Sequence, residues 1–258
     1  MQTAEINGTT IAFEDSGGKG PVVVLSHGFL MDHSMFDAQV QALRATHRVI
    51  TWDERGHGAT RATGDFTYWD SAHDVLALMD HLGVAKAVIG GMSQGGFISL
   101  RVALTAPDRV EALILLDTQS GVEAPESVEP YTQLHAAWVG HGAAAVQDII
   151  AGIILGEGDW SDWFAKWAVL EPQQFTYAFN TLMHRDDITA RLGEITCPAL
   201  VVHGTADVAI PMAKAELLRD SLGGTTTLVP VEGGPHAANI THAPQVNEAI
   251  LRFLGALA

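Results

Sequence analysis

Short apolar runs of strand length recur along this chain and alternate with helical patterns. The runs are Pro21 to Ser26, His47 to Trp52, Lys86 to Gly90, Val110 to Leu116, Ala199 to Val202 and Thr225 to Val229. Helical spacing of apolar residues falls over 33–45, 67–82, 94–106, 211–221 and 243–256. Continuous Val/Ile/Leu runs suit strands buried on both sheet faces, because neither face needs a polar alternate. Their alternation with helices predicts an α/β fold: a mostly parallel sheet, right-handed crossovers and helices on both faces. Ahead of this series, Ala4-Glu5-Ile6 and Thr10 to Phe13 flank Asn7-Gly8. That pair favours a two-residue hairpin turn.

The rhythm breaks between Thr118 and Arg185. No strand-like run recurs there, and four of the six tryptophans fall inside it. The chain therefore divides into an α/β core, 1–118 with 186–258, and a helical lid inserted at 119–185. Trp160, Trp163, Phe164 and Trp167 are spaced as one face of a helix. Such a stripe packs a lid onto a core, and part of it can also roof a substrate pocket. Trp163 and Trp167, with Met31 and Met92 near the core loops, are the pocket candidates.

Composition narrows the partners. The 258 residues carry 14 Lys+Arg against 30 Asp+Glu, a formal charge of −16. That surface repels phosphate backbones, so nucleic acid is not expected as a partner. Cys197 is the only cysteine, which excludes an intrachain disulfide and favours a reducing compartment. Met1 to Glu5 show no basic or apolar leader pattern, and runs such as Ala112 to Leu116 are too short to span a bilayer. The expectation is a cytoplasmic protein without membrane association. No His-Glu-x-x-His motif occurs, and Gly90-Gly91 and Gly95-Gly96 do not follow the first strand as a dinucleotide site would require. Neither a metal nor another cofactor is expected.

The chemistry centres on Gly91-Met92-Ser93-Gln94-Gly95, where an apolar run stops and a helical pattern begins. A serine between close glycines at such a junction fits a nucleophile elbow. Serine needs a neighbouring base, and histidine suits that task. His236 is the candidate, in the loop Glu232-Gly233-Gly234-Pro235-His236 after the last predicted strand. Asp207 follows the strand Ala199 to Val202 and is the candidate for orienting the imidazole. Asp117, at the end of the preceding strand, is its competitor. The order Ser93, Asp207, His236 goes with a strand–serine–helix elbow. Two N–H donors must face the oxyanion. They are expected from Gln94, after the nucleophile, and from Phe29 in His27-Gly28-Phe29, after the first parallel strand.

With these motifs in order, the chain resembles the α/β-hydrolase superfamily over essentially its whole length. The residues that carry the likeness also include Asp53-Glu54-Arg55-Gly56-His57-Gly58, His203 to Asp207, and the tail Ala237 to Pro244. Within the superfamily it is most similar to small lidded esterases and lactonases, including the 3-oxoadipate enol-lactonases. The resemblance implies a serine ester hydrolase acting on a small ester or lactone through an acyl-enzyme, without cofactor. Ser93 stands where epoxide hydrolases and haloalkane dehalogenases carry aspartate. Ala237 stands where carbon–carbon bond hydrolases carry tryptophan. Asp53 and Arg55 read as a structural ion pair and turn. The lid holds only Lys166 and Arg185 as cations, so a carboxylate-bearing lactone is a poor match and an apolar or aromatic acyl ester a better one. Two alternatives stay open: a ligand receptor on the same fold with little turnover, and a cofactor-free perhydrolase.

Overall fold

The computed structural model describes residues 1–257. Eight strands form one sheet: β1 (Gln2–Ile6), β2 (Thr9–Asp15), β3 (Val22–Ser26), β4 (Arg48–Trp52), β5 (Ala87–Met92), β6 (Val110–Leu116), β7 (Ala199–Gly204) and β8 (Thr226–Val231). Their order across the sheet is β1-β2-β4-β3-β5-β6-β7-β8. The first two strands form the antiparallel hairpin. Asn7 and Gly8 both take positive φ, 48° and 75°, as its tight turn requires. β2 meets β4 antiparallel, and every later pairing is parallel.

Strand parity explains the layering. Val24, Ile50, Ile89, Leu113, Leu115 and Val201 point to one apolar cluster. Their neighbours Val23, Leu25, Val49, Val88, Ile114 and Leu200 point to another. Both faces are thus buried, and each such side chain contributes roughly 1.5–3 kcal/mol by leaving water. The first face is covered by α2 (Tyr68–His81), α3 (Gln94–Thr105) and α8 (Met212–Ser221). The second is covered by α1 (Asp37–Leu43) and α10 (Ala243–Gly255), with a short α9 (Ala238–Thr241) beside them. α2 starts on a capping box: the Thr67 hydroxyl accepts from the Asp70 N–H, and the Asp70 carboxylate accepts from the Thr67 N–H.

Between β6 and β7 the described residues form helices and no strand. These are α4 (Pro125–His141), α5 (Gln147–Ile154), α6 (Ser161–Ala168) and α7 (Pro172–Met183). No helix among the described residues is long and apolar enough to cross a membrane.

Candidate active site

Ser93 sits between β5 and α3 with φ 52° and ψ -113°. That conformation is strained for a residue with a side chain. Hydrogen bonds to its backbone hold it there. Its N–H donates to the Leu116 carbonyl at 2.9 Å, while its carbonyl accepts from the Thr118 hydroxyl at 2.7 Å and the Gly96 N–H at 2.9 Å. The flanking glycines are required by close approach. A Cβ on Gly91 would collide with the backbone of Gly95, and one on Gly95 with the Ser26 carbonyl.

The strained turn aims Ser93 at a histidine from the far edge of the sheet. The Ser93 hydroxyl lies 2.9 Å from His236 Nε2, and His236 Nδ1 lies 2.8 Å from Asp207 Oδ2. With Nδ1–H donating to the carboxylate, Nε2 is left to accept from the serine. Asp207 is fixed in turn, since its Oδ1 accepts the N–H groups of Ala209 and Ile210 at 2.8 and 2.9 Å. The competitor Asp117 does not reach His236. Its Oδ1 accepts from the Gly204 N–H at 2.7 Å. Burial, with smaller help from Asp207, raises the Asp117 pKa well above the carboxylate range. Asp117, His203 and Asp207 approach one another closely enough to suggest a cation site. Nε2 of His203 is committed, however: its N–H donates to the Ile210 carbonyl at 2.7 Å and lies 3.3 Å from Asp207 Oδ2. The cluster is better described as a support for the Asp207 loop.

Phe29 lies in the loop after β3, and Gln94 opens α3 directly after Ser93. Among the described residues neither N–H donates to a backbone carbonyl, so both remain free for a ligand. The Phe29 loop is braced from below. His27 Nδ1–H donates to the Gly28 carbonyl at 2.8 Å, while its Nε2 accepts from the Glu54 N–H at 2.9 Å. That pattern needs a neutral ring, and burial lowers the His27 pKa accordingly. Leu30 adopts φ 62°, and its carbonyl accepts from Trp167 Nε1 at 2.7 Å.

A cavity of about 100 Å³ opens over Ser93 and His236. Met92, Phe29 and Phe97 line it from the core, and Tyr131, Phe175 and Phe179 from the helical segment. Of the four pocket candidates, Met92 is in this lining. Met31, Trp163 and Trp167 instead line a second cavity of about 250 Å³, with His57, Arg61 and Lys166. The cause lies in α6. Its aromatic stripe is buried against the core, Trp167 tilted on Trp138 and tied to Leu30, so it packs beside the Phe29 loop rather than over Ser93. The pairing expected between Asp53 and Arg55 is also replaced. Arg55 meets Asp74 through Nε at 2.6 Å, and Asp53 meets His33 at 2.7 Å and the Ala59 N–H at 2.8 Å. Glu123, Tyr131 and His135, which line the cavity over Ser93, gave no signal in the sequence. Only tertiary packing of α4 and the segment before it brings them there.

Comparison with known proteins agrees with this architecture. Residues 21–144 match the family model described as alpha/beta hydrolase fold, and residues 180–256 match one described as TAP-like protein. The chain is 30% identical to RutD of Variovorax paradoxus, a candidate carbamate hydrolase, over 91% of this chain and 92% of that protein. Among solved structures, a thermophilic esterase from Thermogutta terrifontis superposes with a TM-score of 0.90 at 27% identity, covering 100% of this chain and 99% of the other. The enol-lactonase from Burkholderia xenovorans superposes with a TM-score of 0.89 at 26% identity, covering 98% and 100%. The doubly covered sheet, the elbow at the end of β5 and these likenesses agree: the chain belongs to the α/β-hydrolase superfamily.

Proposed function

We propose that this protein is a serine ester hydrolase that cleaves a carboxylic ester or lactone of a small, largely apolar substrate. The observation that carries the reading is the hydrogen-bonded series Ser93, His236, Asp207 at the floor of an apolar cavity. Ser93 Oγ attacks the carbonyl carbon while His236 Nε2 takes its proton. Asp207 holds the ring with Nε2 bare and stabilises the imidazolium that forms. The developing oxyanion accepts from the N–H groups of Phe29 and Gln94, neither of which donates to a backbone carbonyl among the described residues. His236 then returns the proton to the leaving alcohol. Water repeats the attack on the acyl-enzyme with His236 as base, and Ser93 is regenerated. Residues 119–185 act as the lid that supplies the cavity's outer wall. The esterase and enol-lactonase likenesses support this substrate class.

A p-nitrophenyl ester series from acetate to octanoate tests the reading. The native protein should turn over its short members, and Ser93→Ala should lose about 10³-fold or more in kcat. Equal turnover by that variant would end the proposal. Inactivity of the native protein on every ester and lactone would favour a ligand receptor instead.

A further inference from the structure

Besides His135, His236 and the phenol of Tyr131, the cavity over Ser93 has one ionisable side chain in its lining. Among the described residues, Glu123 is the only Asp, Glu, Lys or Arg side chain in a lining that is otherwise mostly apolar. Its counter-charge sits behind the wall. Arg185 Nη2 lies 2.9 Å from Glu123 Oε1, yet the arginine side chain is 2% exposed against 12% for the glutamate. Arg185 is committed elsewhere as well, donating from Nε to the Gly121 carbonyl at 3.0 Å and from Nη1 to the Leu182 carbonyl at 2.7 Å. Its guanidinium carbon lies 4.4 Å from the centroid of Phe97, and Phe97 itself lines the cavity. Phe97 thus lies against the cation and also lines the cavity, whereas Glu123 belongs to the lining and Arg185 does not. Lys166, the other cation of the helical segment, pairs with Asp32 at 2.8 Å and lines the second cavity.

We propose that Glu123 is a specificity-determining residue: the cavity takes esters whose far end carries a neutral hydrogen-bond donor, and it turns away a carboxylate there. The proposal rests on the ester-hydrolase reading above. An ionised acceptor makes a strong hydrogen bond to a hydroxyl or amide N–H. An alkyl end would desolvate that carboxylate and return nothing. A carboxylate end would meet like charge with no free cation in the lining. An ammonium is a poorer match than a hydroxyl, because Arg185 already balances Glu123 and the added charge would stand uncompensated in an apolar space. Tyr131 in the same lining keeps its phenol proton, since burial raises its pKa, and can accept from or donate to the same group.

The test is a pH-stat comparison of ethyl heptanoate with its ω-hydroxy, ω-amino and ω-carboxy counterparts of matched length. The hydroxyl series is run a second time with the group on the alcohol side. The hydroxy ester, on whichever side reaches Glu123, should exceed the alkyl ester in kcat/KM by about tenfold. The carboxy ester should fall about a hundredfold below the alkyl ester. In Glu123→Gln both ratios should move towards one. An alkyl ester preferred on both sides in the native protein, or ratios unmoved in the variant, overturns the inference. If the variant does not fold, the native ratios decide alone. Turnover of the p-nitrophenyl series with an alkyl preference here defeats this inference only, whereas loss of both defeats the hydrolase reading.

Discussion

At the scale of single residues, the acid of the proposed triad rests on a contrast between two aspartates. Asp207 is held by two backbone N–H groups and touches His236, whereas Asp117 is buried behind it with its proton favoured. Asp207→Asn should therefore lose about 10³–10⁴-fold in kcat, because the amide would hold the wrong tautomer of the ring. Asp117→Asn should cost far less, since an amide oxygen can still accept from the Gly204 N–H. Measuring kcat for both variants on one ester checks the assignment, and a larger loss at Asp117 would reverse it. These positions were legible in the sequence because each sits where a strand ends, and strand ends are where this class of fold presents its polar groups. Glu123 was not legible. It lies in Val122-Glu123-Ala124-Pro125, a stretch with no period to assign it a face.

Among elements, α6 shows how far a helical pattern can be read. Its spacing of Trp163, Phe164 and Trp167 identified a buried face correctly. Periodicity states that a face is buried, not what covers it: Trp163 and Trp167 line the second cavity rather than the one over Ser93. By contrast, β6 was expected at Val110 to Leu116 and is found there, because an apolar run, interrupted only by the exposed Glu111, is bounded by polar residues at both ends. What α6 does hold is the Phe29-Leu30 loop, through Trp167 Nε1 and the Leu30 carbonyl at 2.7 Å. Trp167→Phe would leave that buried carbonyl without a partner, at a cost of about 1–3 kcal/mol. The expected outcome is a lower melting temperature together with reduced kcat, since Leu30, with its positive φ, directly follows the proposed oxyanion donor Phe29. Full kcat at a lowered melting temperature would show that the loop keeps its shape without the tryptophan.

For the whole molecule, buried ionisable groups set the pH range of stability. Glu54 is pushed up to about 8, first by burial and then by Asp74, against which a hydrogen bond from Ser71 at 2.6 Å works in the other direction. The folded chain thus keeps a proton that the unfolded chain releases near 4.5. Its stabilising contribution is full below the unfolded value and is lost as pH climbs from there towards about 8. Glu54→Gln should flatten that decline in thermal unfolding curves taken across the range. An unchanged slope would place the responsible proton elsewhere. On the acid side, burial and the nearby His27 hold His57 down to about 3, so its contribution is present above 6.5 and lost as pH falls towards that value.

The helical segment touches the reacting loops at more than its cavity wall. Besides Trp167 on the Phe29 loop, the Ile154 carbonyl at the end of α5 accepts the Ala237 N–H at 2.7 Å, one residue past His236, and Gly156 packs on Pro235. The Phe29 loop and the His236 loop are therefore both anchored to the helical segment. A roof that swung away to admit a substrate would loosen the Phe29 donor and the His236 base in the same movement. On the proposed mechanism, such an opening would cost the nucleophile its base and its oxyanion donor together.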